Sequence, residues 1–330
     1  MARLFIHAGN HKTGTTSIQK YLFENRGLFL EQGVSCFLQG IKQKVVRGNH
    51  SWWFDHNSLK DGSAYFRRGF AEALGRHATT AENVVVSSEC FSWVFDKQAL
   101  TAFAGQLFQY YDDVQVVFYI RRQDRHAVSH YQQAAKSFAE REFFTGNNGA
   151  LPDLTDNVIN YLDYHKKLLF WESVFGQGNV TFKVFDDHLA SVGVVSDFLR
   201  VLGLQSSEFP EEGARANESW GWEKTKVFRI LNQLGVRHQS ELGKTLKNSL
   251  DDSGKLLPSL EEASTFYDFF CDSNKKLAER LSCNPGASLF EEDFTFYPEH
   301  RTDYFDEASA DKAIEDLAQG FLDYLKKSSN

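Results

Sequence analysis

Nine residues near the N-terminus, Gly9-Asn10-His11-Lys12-Thr13-Gly14-Thr15-Thr16-Ser17, constrain this chain more than any other segment. They follow a short apolar run, Arg3 to Ala8, that reads as a β-strand, and they lead into a helical pattern from Thr15 to about Glu24. A glycine-bearing loop between a strand and a helix aims backbone N–H groups and the positive end of a helix dipole at one point, where an anion binds. The glycines let the backbone come close, and the hydroxyls add donors. A tight turn with a threonine cap is the simpler alternative. The coincidence of strand, two glycines, a lysine and hydroxyls favours the anion loop.

The rest of the chain alternates short apolar runs with longer amphipathic stretches, the pattern of a parallel α/β fold. Further strands are expected at Asn83 to Ser87, Val114 to Ile120 and Asn179 to Phe185. These are continuous apolar runs, as strands covered on both faces are. Helices are expected from about Arg125 to Phe138 and from Val194 to Leu202, closing at Gly203. The segment 139–160 is polar and reads as a loop. From residue 222 the pattern is helical, at Trp222 to Leu234, at Leu260 to Leu281, and in a tail over 310–327 with Ile314, Leu317, Phe321 and Leu325 on one face. The expected class is α/β, a P-loop-type parallel sheet flanked by helices with a helical C-terminal part. A chain of 330 residues with 42% hydrophobic content can bury one large core. A single domain over 1–330 is expected, with a donor-binding α/β core at 1–205 and a mostly helical part at 206–330 completing the acceptor cleft.

Composition narrows the partners. A formal net charge of −8 argues against wrapping nucleic acid or an anionic membrane by bulk charge, though it leaves room for a local basic pocket. Cys36, Cys90, Cys271 and Cys283 are widely and irregularly spaced, which suggests neither a zinc site nor a disulfide framework, so no metal is expected. No charged-then-apolar leader and no run of membrane-spanning length is visible, so a cytoplasmic protein is expected.

Gly9 and Gly14 have the spacing of the nucleotide-binding pattern GxxxxGK[ST], but Thr15 stands where the lysine belongs, and the lysine lies two residues before Gly14, as Lys12. An ATPase uses that lysine on the β- and γ-phosphates, so the displacement counts against an NTPase. A second basic element follows the third expected strand: Arg121-Arg122-Gln123-Asp124-Arg125, then Ser129, Gln133 and Lys136 on one helical face. Alone this reads equally well as a solvated basic cluster.

His11-Lys12-Thr13-Gly14-Thr15-Thr16 resembles the 5′-phosphosulfate loop of sulfotransferases that use PAPS (3′-phosphoadenosine 5′-phosphosulfate), commonly Pro-Lys-Ser/Thr-Gly-Thr-Thr. Arg121 and Ser129, eight residues apart, resemble that family's 3′-phosphate motif. The resemblance implies that Lys12, Thr13, Gly14, Thr15, Thr16 and Ser17 hold the 5′-phosphate and that Lys12 steadies charge on the leaving oxygen. It also implies that Arg121 and Ser129 hold the 3′-phosphate, with PAPS as donor and PAP as product. His11 stands where proline is usual, and Ser17 where many members carry an adenine-stacking tryptophan.

Sulfuryl transfer needs a base for the acceptor. In the resemblance Glu89, in Ser87-Ser88-Glu89, falls at the family's histidine base. His50, in Gly48-Asn49-His50-Ser51-Trp52-Trp53, is similar to a Gly-Asn-His of bacterial carbohydrate-type members. Glu89 is the first candidate and His50 the second; a strand-end ion pair and a loop cap are their respective structural alternatives. The resemblance extends to Asn217 and Ser219, to Ser273-Asn274-Lys275-Lys276-Leu277-Ala278-Glu279-Arg280, and to Leu289-Phe290. Arg215, Asn217 and Trp220 are then candidates for closing over the nucleotide. The activity implied is in-line sulfuryl transfer to a hydroxyl or amine, with a carbohydrate or glycolipid as acceptor. A P-loop small-molecule kinase and a non-catalytic PAP-binding protein are the alternatives.

Overall fold

Among the described residues, five parallel strands form the main sheet in the order β2-β5-β1-β6-β7. They are β1 (Ala2–His7), β2 (Val34–Cys36), β5 (Asn83–Ser87), β6 (Tyr111–Ile120) and β7 (Val180–Val184). Two short strands, β3 (Phe54–Asp55) and β4 (Tyr65–Phe66), pair as a small antiparallel ladder. The computed structural model describes residues 2–40, 44–48, 50–55, 63–136, 149–211, 220–282, 284 and 286–328. Asn49, Cys283, Arg215, Asn217, Ser219 and residues 139–148 of the loop expected at 139–160 lie outside them; the end of that stretch is helical, in Asp156–Leu162.

The helices in chain order are α1 (Thr15–Glu24), α2 (Arg26–Glu31), α3 (Phe70–Gly75), α4 (Lys97–Leu107), α5 (Gln123–Ala134), α6 (Asp156–Leu162) and α7 (Tyr164–Phe175). They continue as α8 (Asp187–Val192), α9 (Val194–Val201), α10 (Trp222–Gln233), α11 (Glu241–Ser249), α12 (Leu260–Asp268), α13 (Cys271–Ser282) and α14 (Glu307–Ser328). The chain divides into two compact units, one of Met1–Arg122, Ile159–Arg215 and Cys271–Glu291, the other of Gln123–Val158, Ala216–Phe270 and Glu292–Asn330.

The first unit holds the whole sheet. β-branched and aromatic side chains fill both of its faces, which is why its strands read as unbroken apolar runs. On one face Phe5, Val85, Val117 and Tyr119 pack with Ile18 and Leu22 of α1 and Val195 and Phe198 of α9. On the other, Phe118 meets Trp171 of α7 edge-on, and Phe91 bridges Trp171 to an aromatic cluster around Phe54, Phe70 and Phe103. β1 is the centre of the sheet: its register sets His7 beside Ser87 of β5 and Val117 of β6. The chain leaves β1 for β2 on one side and later places β6 on the other. The carboxyl ends of β1 and β6 are therefore the topological switch point, the place where open α/β sheets bind ligands.

The second unit is built on α5, α10, α11, α12 and α14. Its core joins Val227, Phe228 and Leu231 of α10 to Leu246 of α11 and Ala313 of α14. At Gly320 a Cβ would come within 2.5 Å of Ser249 Oγ, so glycine is what lets α14 lie close against α11.

Two helical expectations change. The run Leu260 to Leu281 is broken at Phe269-Phe270, and its halves, α12 and α13, belong to different units. The tail helix forms, but its buried edge is Ala313 and Gly320 with Leu317 beside them, while Ile314, Phe321 and Leu325 face outward. Apolar periodicity marked the helix and misplaced its packed face because small residues set the closest approach.

Candidate active site

The loop after β1 turns through two left-handed residues, Lys12 (φ 64°) and Gly14 (φ 82°). Lys12 is the one non-glycine with positive φ among the described residues, and such a residue costs about 1 kcal/mol or more. Left-handed residues alternating with ordinary ones turn successive N–H groups toward a common concavity, which suits an anion. Gly14 is the N-cap of α1, no side chain caps that end, and the first turn carries no acidic residue. The N-cap residue thus supplies no acceptor side chain to the first amides of α1.

The loop is held from inside by its own hydroxyls. Thr13 Oγ1 donates to the Asn10 carbonyl at 2.6 Å and Thr15 Oγ1 to the same oxygen at 3.3 Å. Both threonines are buried, so these hydroxyls shape the loop, while exposed Thr16 and half-buried Ser17 present theirs at the first turn of α1. Ser92 Oγ donates to the carbonyls of Ala8 and Gly9 at 2.6 and 3.1 Å. His11 donates its N–H to the Tyr161 hydroxyl at 3.0 Å, and its Nδ1 lies 2.9 Å from that oxygen. The Tyr161 ring packs 4.2 Å from that of half-buried Trp93.

β5 ends beside the loop. Ser87 Oγ accepts from Gln19 Nε2 at 3.2 Å and lies 2.8 Å from His7 Nδ1. His50 Nδ1 donates to the Ser87 carbonyl at 2.8 Å, which leaves Nε2 as the lone-pair nitrogen. His50 is 1% exposed, and Nε2 is buried without a partner. Burial pulls its pKa from 6.5 to about 4, against the backbone contacts that favour its charged form. His7 is pulled to about 3 by burial alone. Both are neutral at physiological pH. Glu89 lies two residues past Ser87, half-buried, in the first turn of the short 3-10 helix Glu89–Trp93 that Ser88 caps.

β6 ends at Ile120, so Arg121 stands at the carboxyl end of β1's other neighbour, half-buried. Its carbonyl accepts from the Tyr164 hydroxyl at 2.7 Å. Arg122 is buried and donates to the Glu291 carbonyl at 2.7 Å, next to the buried Phe290 of the Leu-Phe pair. The first unit therefore brings Lys12, Thr13, Gly14, Thr15, Thr16, Ser17, His50, Glu89 and Arg121 to one edge of one sheet. Ser129 is on α5 in the second unit, linked to Arg121 by sequence spacing. In that unit Lys136 Nζ lies 4.8 Å from the Trp220 ring, and Trp220 packs on Phe228 and His238.

The stretch Ser273 to Arg280 forms α13 and fastens it to α7: Ser273 Oγ donates to Asp163 Oδ1 at 2.5 Å, and Arg280 pairs with Glu172 at 2.6 Å. Motif reading missed the helix it grips. α7 carries Lys167, which reaches Asn10 in the loop; an isolated lysine in an amphipathic stretch carries no spacing signal.

No protein-family model matches the sequence. An uncharacterized protein of Archaeoglobus fulgidus is 30% identical in an alignment 221 residues long that covers 64% of this chain and 58% of that protein. The match thus spans less than two thirds of that relative. Among solved structures the chain is similar to a sulfotransferase from Alicyclobacillus acidocaldarius (TM-score 0.39, 16% identity, 64% of this chain and 85% of that one). It is also similar to the sulfotransferase domain of the Synechococcus PCC 7002 olefin synthase (TM-score 0.35, 9% identity, 82% and 94%). A third is retinol dehydratase in complex with androsterone and the inactive cofactor PAP (TM-score 0.29, 14% identity, 96% and 80%). The architecture is a parallel α/β sheet flanked by helices, with an anion-shaped loop at its central strand.

Proposed function

We propose that this chain is a sulfotransferase that moves a sulfuryl group from PAPS to an acceptor hydroxyl. The observation that carries the reading is the loop itself: Lys12 and Gly14, both left-handed, turn the backbone at the uncapped N-terminus of α1, with the lysine displaced from the position an NTPase uses. Arg121, past the end of one flanking strand, suits a second phosphate on the nucleotide, and the carboxylate of Glu89, past the end of the other, suits a base for the acceptor.

Thr16, Ser17, Lys12 and the loop amides take the 5′-phosphate. Arg121 takes the 3′-phosphate, with Ser129 assigned by its eight-residue spacing. The acceptor oxygen bonds to sulfur as the bond from sulfur to the 5′-phosphate oxygen breaks, in line. Glu89 receives the acceptor's proton, and Lys12 and the loop amides stabilise the charge that develops on the departing oxygen of PAP. His50, buried and bonded to the Ser87 carbonyl, shapes the strand end that presents Glu89. Trp93, the last residue of the short 3-10 helix that Glu89 begins and packed on Tyr161, supports a ring-shaped acceptor such as a sugar.

Calorimetry of PAP against ATP, on the wild type and on Arg121→Ala, tests this. Tight PAP binding, weak ATP binding and at least a tenfold loss of PAP affinity in the variant are expected. Equal or tighter ATP binding, indifferent to Arg121, would favour a small-molecule kinase instead. Transfer from PAPS to a panel of sugars then separates an enzyme from a protein that only binds PAP.

A further inference from the structure

A second lysine lies against the loop and takes no part in the transfer. Lys167 of α7 is 3% exposed, and its ammonium donates to Asn10 Oδ1 at 3.2 Å. The rings of Tyr161 and Phe118 flank Nζ at 4.3 and 5.9 Å. Burial pulls its pKa well below the lysine norm, and Asp163 is the carboxylate that opposes this. That carboxylate forms no ion pair with Nζ; its Oδ1 accepts from the Lys166 N–H at 2.9 Å and from Ser273 Oγ at 2.5 Å. A buried ammonium without a dedicated counter-ion is costly, and a nearby bound anion relieves that cost.

Asn10 is the residue through which such a charge acts on the loop. Its carbonyl receives both threonine hydroxyls, its Oδ1 receives Lys167, and its Nδ2 is buried without a partner. We propose that Lys167 is a positioning residue for the anion loop, holding it in shape through Asn10 and drawing its counter-charge from the bound anion. This rests on the loop binding an anion, as proposed above.

The test measures binding of inorganic pyrophosphate and of PAP by calorimetry, with thermal melts, on wild type, Lys167→Met, Asn10→Ala and the double variant. Methionine keeps the packing and removes the charge, so a merely structural lysine predicts unchanged binding. The proposal expects Lys167→Met to melt at or above the wild-type temperature while binding both ligands at least tenfold more weakly. It also expects the double variant to lose little beyond the worse single one. Wild-type affinity in Lys167→Met, or strictly additive losses, would overturn it. Should the methionine variant not fold, Lys167→Gln keeps a donor for Asn10, and the same tenfold criterion applies. A wild type that binds pyrophosphate and not PAP removes the PAPS reading and leaves Lys167 judged on pyrophosphate. Binding of neither removes both.

Discussion

His50 donates its Nδ1 proton to the carbonyl of Ser87 at 2.8 Å, tying a loop residue to the end of β5, two positions before the proposed base Glu89. Ser87 is also bonded through its hydroxyl, which lies 2.8 Å from His7 Nδ1 and receives Gln19 of α1. One strand-end serine thus connects the central strand, the helix behind the loop and the turn that carries the carboxylate.

Those two histidines predict acid sensitivity. Each is neutral in the folded state, with pKa values of about 3 (His7) and about 4 (His50) against 6.5 when exposed. The unfolded chain takes up their protons first, so the stability is present above pH 6.5. It is lost as pH falls from there toward 4 for His50 and toward 3 for His7. Each contributes a slope approaching ~1.4 kcal/mol per pH unit inside its window. Urea titrations between neutral and mildly acidic pH should show this, and His7→Gln and His50→Gln should each flatten it. Wild-type slopes in both variants would mean that the two rings are not the source.

Lys12 separates backbone strain from chemistry. Lys12→Gly removes the left-handed penalty and should be more stable than Lys12→Ala by about 1 kcal/mol. Both should lose sulfuryl transfer by roughly a hundredfold or more, because both lack the charge on the leaving oxygen. Denaturant midpoints and single-turnover rates on the two variants decide it.

Glu89→Gln keeps shape and removes the proposed base. Turnover should fall by about 10²- to 10⁴-fold while PAP affinity stays within about twofold. If the rate is unaltered, attention passes to His50 and its buried Nε2.

Gly14 has no room for a side chain. A Cβ there would sit 2.6 Å from Val194 Cγ1, at φ 82°. Gly14→Ala should cost about 1–3 kcal/mol and weaken PAP binding, since the displaced N-cap re-aims the first amides of α1. Unchanged melting and affinity would contradict the fit of α9 against the loop.

The loop was legible as a loop because its function depends on backbone: strand, glycine and helix start are local, and local sequence encodes them. The strand at Asn83 to Ser87 stands where its unbroken valine run puts it, and the helix from Thr15 to Glu24 where its helical pattern does. β2, only Val34–Cys36, left no period to detect. The helix expected across Leu260 to Leu281 breaks at Phe269-Phe270, because the two halves bury against different partners and the pattern does not record where the partner changes.

Short motifs resembling those of a known family nominated Lys12, Glu89, His50 and Arg121, because a chemistry that handles anions and protons draws on few side chains. Their assembly depends on the parallel register that sets His7 beside Ser87 and Val117, a contact between positions 80 and 110 residues apart that pairwise packing selects. Folding also gave two threonine hydroxyls a partner in the loop: Thr13 and Thr15 donate to the Asn10 carbonyl, while Thr16 is exposed and Ser17 half-buried in the first turn of α1. It brought Lys167, 157 residues along the chain, under Asn10. Burial, hydrogen-bond partners and pKa are properties of the surroundings of a side chain, and the surroundings come into being only when distant segments pack.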